Sequence, residues 1–207
     1  MNETDFDQAL VTAAFALGAE AGWRKVSPAA AALRAGLDLG EARARFSGCG
    51  DILRKFGTLA DCHALRGALT EGTVRDRLFD TMLRRFDFLQ MHRGGVVALL
   101  KFLPVAPPLA VCLAHATVDS MGWLLEAAGV CAAGARGEVR KRGLALVWGY
   151  GVRAWLRDES ADLAATMAAV DTALMKADAL AARFSTAPHD TPPAADLPST
   201  EPPSEVA

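Results

Sequence analysis

Tyrosine occurs once in this chain, and stretches that alternate apolar and polar residues with period two are few. Both shortages weigh against a sheet protein. Four cysteines, Cys49, Cys62, Cys112 and Cys131, stand far apart with no CxxC among them. Such spacing offers neither a disulfide framework nor a zinc site, and it points to a reduced compartment. Positive charge is not in excess: the net charge is −2, so overall charge does not attract a polyanion, although a local basic patch remains open. The most apolar run, Val105 to Val130, is interrupted by His115, Asp119 and Glu126, groups that are costly inside a bilayer, so a membrane span is not expected. The first residues, MNETDFDQ, are acidic, unlike a signal or transit peptide. A cytoplasmic location is expected, with peripheral contact at the inner membrane face left open. No Ser-His-Asp order, P-loop, GxGxxG, HExxH or paired-carboxylate motif occurs. No catalytic residue, cofactor or metal ligand is therefore assigned, and an enzyme is the least favoured class.

What the chain has is alanine and helical periodicity. Apolar residues make up 52% of 207 residues, enough for one helical domain with a core, or a small headpiece plus a larger body. The expectation is an all-α protein. Phe6, Leu10, Ala13 and Leu17 form one stripe of a first helix over 5–21. Ser27-Pro28 suits an N-cap followed by the first helical position, and the alanine-rich second helix ends near Gly36. A short third helix runs from Asp38 to Phe46, and Gly48-Cys49-Gly50 is a break before a fourth. Three short helices with a glycine turn between the second and third outline a helix-turn-helix headpiece over 1–56.

The body is expected over 57–184. It comprises helices at 58–69, at 74–91 with Leu78, Met82, Phe86 and Leu89 inside, at 96–103, and at 108–128. The 108–128 helix is apolar on nearly every face, which places it centrally or along a pocket. The body closes on a helical hairpin over 142–184. There Leu144, Val147, Trp148, Gly151 and Trp155 share one face, and an Asp158-Glu159-Ser160 corner precedes the last helix. Within it, Trp155, Asp158 and Ser160 are read as anchor and cap, and His92 as the residue that terminates its helix and meets the last carbonyls. His115 and Asp119, four apart, are expected to form a satisfied buried pair. Residues 185–207, with most of the ten prolines and almost no large apolar groups, are expected to be a disordered tail.

The headpiece segments, Ala9 to Gly22, Pro28 to Gly36 and Asp38 to Phe46, resemble those of the TetR family of repressors. Two departures stand out. Arg43 or Ala44 occupies the place of the family's tyrosine, and Cys49 the place of its phosphate-contacting lysine. Residues 22–57 carry seven Lys and Arg against three acids, a mildly basic balance. The body motifs, Val74-Arg75-Asp76-Arg77-Leu78 through His92-Arg93, Trp155-Leu156-Arg157-Asp158-Glu159-Ser160, and Thr166 toward Asp171, are similar to the COQ-nine family of ubiquinone-biosynthesis accessory proteins. Gly22-Trp23 fits that family's early Gly-Trp. No counterpart of its C-terminal membrane-binding helix follows Phe184.

These resemblances imply a TetR-like, dimeric, all-α fold with a C-terminal ligand-binding bundle. The body would hold an isoprenoid lipid or quinone intermediate and present it to a ubiquinone-pathway hydroxylase. Met82, Phe86, Val111, His115, Val118, Met121, Trp123, Trp148, Trp155 and Met167 are the expected pocket residues. The rival is a DNA-binding TetR-type regulator, for which Lys25, Arg34, Arg43 and Arg45 are the expected DNA contacts.

Overall fold

The computed structural model describes residues 3–184, so the proline-rich segment expected to be a disordered tail lies outside the described residues. Among those residues there are nine α-helices, two single 3₁₀ turns and no strand. The helices are α1 (Glu3–Ala21), α2 (Pro28–Ala35), α3 (Leu39–Arg45), α4 (Cys49–Leu65), α5 (Val74–Met91), α6 (Arg93–Phe102), α7 (Pro107–Ala127), α8 (Gly134–Trp155) and α9 (Ala164–Phe184).

The headpiece follows its local signals. Ser27 Oγ accepts the Ala30 N–H at 3.1 Å with Pro28 in the first turn of α2. Gly36, at φ 67°, ends α2 in the left-handed region that a side chain disfavours. Asp38 then caps α3 by accepting the Glu41 N–H at 2.7 Å. Ala31, Ala32 and Ala42 are wholly buried, and their small side chains let α2 close on α1 and α3 on α2.

The expected break around 57 is absent: α4 runs unbroken from Cys49 to Leu65, across the expected headpiece boundary at 56. A glycine inside a helix costs about 1 kcal/mol. Burial of Ile52, Leu53, Phe56, Ala60 and Ala64 on the two sides of Gly57 outweighs that, and one rod joins headpiece and body. A second joint runs through α6, against which α1 packs. A Cβ on Gly95 would collide with the Phe15 carbonyl oxygen, so glycine is required there, and Trp23 Nε1 donates to the Gly95 carbonyl at 2.8 Å. The His92 backbone N–H meets the Leu89 carbonyl as expected, but its ring turns inward among Phe15, Phe56 and Phe88, where burial lowers its pKa.

In the body, α5 opens on a reciprocal cap between Thr73 and Asp76 and buries Leu78, Met82, Phe86, Phe88 and Leu89. The hairpin of α8 and α9 packs on it through Phe86, whose ring stacks on Trp148 at 4.4 Å. The hairpin differs from expectation at two points. Helix α8 starts at Gly134, eight residues before Arg142. Helix α9 starts at Ala164, after a turn in which buried Leu163 takes φ 54°. Ser160 Oγ does accept the Ala164 N–H, at 3.1 Å. The stronger cap is Asp158, whose Oδ2 accepts both the Thr166 N–H and hydroxyl at 2.7 Å. Those bonds, with that from the Ser160 hydroxyl, hold its carboxyl well below the usual carboxylate range.

Helix α7 is not central. Only Ser120, Met121, Leu124 and Leu125 of its 21 residues are buried, all in its C-terminal half. It is long and apolar enough to cross a bilayer by length and composition alone, but it packs against α4 and α8 and leaves its outer side exposed. Periodicity could not reveal this, because an all-round apolar helix has no preferred side to bury.

Candidate functional site

The ten expected pocket residues do not surround one cavity. Met82, Phe86, Met121 and Trp155 are fully buried and Trp148 nearly so, and all of them are packed into the continuous core. Their volume fills the bundle interior. Val111, Trp123 and Met167 lie on the outside, with Val111 70% and Trp123 68% exposed, and Val118 is half-buried on α7. His115 and Asp119 approach to 3.7 Å but are not buried: the His115 side chain is 81% exposed. They sit at the surface because the inward face of α7 is the one that carries Ser120, Met121 and Leu124.

Beneath the body surface lies a polar centre that the sequence did not announce. Arg85 on α5 is buried and donates to Asp61 Oδ1 on α4, while Ser120 on α7 donates to Asp61 Oδ2 at 2.6 Å. The guanidinium also lies over the Trp148 ring, 4.8 Å from its centroid, and its Nε has no partner. Burial pushes the Asp61 carboxyl up, against the lowering by Arg85 and Ser120. The guanidinium keeps its proton at any relevant pH, so the centre is an ion pair clamping three helices. Above it runs an open groove of about 430 Å³ between α4 and α7, lined by Thr58, Asp61, Val111, Cys112, His115 and Trp123 among others.

On the headpiece, the four expected DNA contacts separate into two kinds. Arg34 forms a fork with Glu20, at 2.6 and 2.8 Å. Arg45 donates to Asp7 Oδ1 at 2.7 Å and to the Glu3 carbonyl at 3.0 Å. Lys25 and Arg43 are exposed and, like Arg24, make no ion pair with another described residue. The residue that sequence reading missed is Asp7. It is 3% exposed on α1 and binds both Arg45 and Lys55. Burial pushes its carboxyl up, but the bonds and charges of those two cations outweigh that and hold it below the ordinary value. An acid on the otherwise apolar Phe6–Leu10 side of the first helix was the available signal. Among the described residues no cluster of His, Cys, Asp and Glu is arranged to hold a metal ion.

No family model and no curated protein matches the sequence. Solved structures do. The chain is similar to a TetR transcriptional regulator from Nitrosomonas europaea, at 20% identity and TM-score 0.66, over 84% of this chain and 98% of that one. The fold is TetR-like. A chain from a Rhodococcus species described as a TetR-family transcriptional regulator matches at 16% identity and TM-score 0.57, over 82% and 99% of the two chains. One from Syntrophomonas wolfei with the same description matches at 14% identity and TM-score 0.58, over 87% and 97%. At these identities the likeness is one of architecture.

Proposed function

We propose that the chain is a homodimeric, DNA-binding regulator of TetR type, with the headpiece on the duplex and α8 and α9 at the dimer interface. The observation that carries it is the α2–Gly36–α3 unit, a helix-turn-helix with its second helix at the surface and Arg43 exposed on it. Exposed apolar residues on the hairpin support the dimer: Val139, Leu146 and Tyr150 along one face of α8, with Met175 and Leu180 on α9. A cytoplasmic location follows from that role.

Fluorescence anisotropy on the protein's own upstream region tests the reading. With Arg24 and Lys25 as the phosphate-facing cations of each headpiece, a dimer neutralises about four phosphates, so log Kd should change with log salt at a slope of magnitude about 4. No retention at low salt removes the proposal. A much steeper slope would show that Arg34 and Arg45 leave their carboxylate partners on binding.

A second reading, a lipid-handling accessory protein of ubiquinone biosynthesis acting with a hydroxylase at the membrane face, is favoured by one observation. The α4–α7 groove joins an apolar rim, Pro108, Val111 and Trp123, to a polar floor at Asp61 and Ser120. An amphiphile would match that pairing. Native mass spectrometry of the purified protein should then show a co-bound long-chain lipid, and Trp123→Ala should remove it. A spectrum of bare protein after incubation with isoprenoid quinone would dispose of this reading.

A further inference from the structure

The polar side chains between Asp38 and Ser47 are almost all occupied within the protein. Asp38 caps α3 at the Glu41 N–H, and Glu41 faces Arg45 at 3.9 Å. Arg45 is held by Asp7, and the Ser47 hydroxyl donates to Asp51. Arg43 is the exception: it is exposed and makes no ion pair with another described residue. Position on the helix adds a second constraint. Ala42 and Phe46 point into the core. At about 3.6 residues per turn, the opposite side of α3 carries Gly40 and Ala44, with Arg43 next to them. The outermost face is therefore nearly bare backbone, which lets the helix axis lie close to a groove floor, with one long hydrogen-bonding side chain beside it.

We infer that Arg43 is the sole base-reading side chain of each headpiece, so that each half-site specifies one guanine, flanked by a base step read only through the methyl of Ala44. Arginine matches the N7 and O6 acceptors of guanine with two parallel bonds, and an alanine methyl suits the thymine methyl group. Asp38, Glu41, Arg45 and Ser47, which could read other bases, are engaged by the fold. The operator is then a sparse one: two guanines, placed by the two-fold axis, with the rest of the affinity from phosphates and duplex shape.

This inference rests on the DNA-binding reading, and selection from a randomised duplex library by the full chain separates the two. The expected result is one invariant G·C pair per half-site, with any substitution there weakening binding by about 5- to 150-fold. Arg43→Ala should erase that preference while low-salt retention of unselected DNA persists. Its fold is checked by an unchanged thermal melt, since the side chain is exposed. Ala44→Asn should add a second specified pair beside the first. Half-sites with three or more specified pairs, or an Arg43→Ala variant that selects the same consensus, would overturn the inference while leaving DNA binding intact. Failure to retain any duplex would overturn both.

Discussion

Asp61→Ala is expected to lower stability by about 3–5 kcal/mol, seen as a lower urea midpoint at unchanged slope. The substitution deletes little volume. Its cost comes from what it leaves behind: the buried guanidinium of Arg85, already lacking a partner at Nε, would lose its carboxylate partner. Ser120 would lose its acceptor as well. The direction of the Asp61 shift fixes how the pair should be understood. Burial raises that carboxyl in spite of Arg85, so desolvation outweighs attraction, and the pair adds little net stability beyond what apolar groups of the same size would supply. The double variant Asp61→Ala/Arg85→Met should therefore recover most of the loss. If the double variant is as unstable as the single one, the damage is a cavity between α4, α5 and α7 and not an orphaned charge. The pair's value then lies in specificity: it allows one register of α4 against α5, and α4 is the rod that carries the headpiece.

The elements that could be read from sequence were those whose signal is local. Ser27-Pro28, Gly36 and Asp38 each act on their own few residues, and the structure places all three caps where their chemistry implies. The stripe on α5 was legible because its polar and apolar faces differ. Helix α7 was not, because Val111 and Trp123 satisfy the same hydrophobic template as Met121 and Leu124, and only the neighbouring helices decide which pair is covered. The interior of the body failed for a related reason. Bulky residues such as Phe86 and Trp148 line a cavity in one packing and fill it in another, and sequence spacing does not distinguish a stack at 4.4 Å from two walls facing a guest. Charge was misleading in the headpiece for a different reason. A count of Lys and Arg over 22–57 treats all cations as available, whereas Asp7 and Glu3, outside that window, and Glu20, also outside it, hold Arg45, Lys55 and Arg34. Long-range ion pairs leave no mark in a local window.

Trp155→Ala carries the other large expected effect, a loss of about 3–5 kcal/mol from transfer and cavity terms together. In a chain of this size that corresponds to a fall in melting temperature of roughly 6–20 °C. The ring is fully buried at the C-terminal end of α8, with Nε1 donating to Gln90 Oε1 at 3.0 Å. Arg93, at the start of α6, lies 4.5 Å over its face and donates to the carbonyls of Trp155 at 3.1 Å and Asp158 at 2.9 Å. One side chain thus fastens the end of α8 to the α5–α6 joint, and the same arginine ties down the corner from which α9 departs. Trp155→Phe keeps much of the apolar volume and some of the cation–π contact, so it should lose well under half as much. The two variants should also differ in assembly. Under the proposed dimer, the exposed apolar residues of α8 and α9 must stay in fixed relation for two chains to mate. Loosening the corner should raise the monomer fraction in sedimentation equilibrium for Trp155→Ala at temperatures well below its melt, and leave Trp155→Phe dimeric. A stable, dimeric Trp155→Ala protein would show that the Trp148–Phe86 stack and the packing of α8 on α9 hold the hairpin without the clamp at its end.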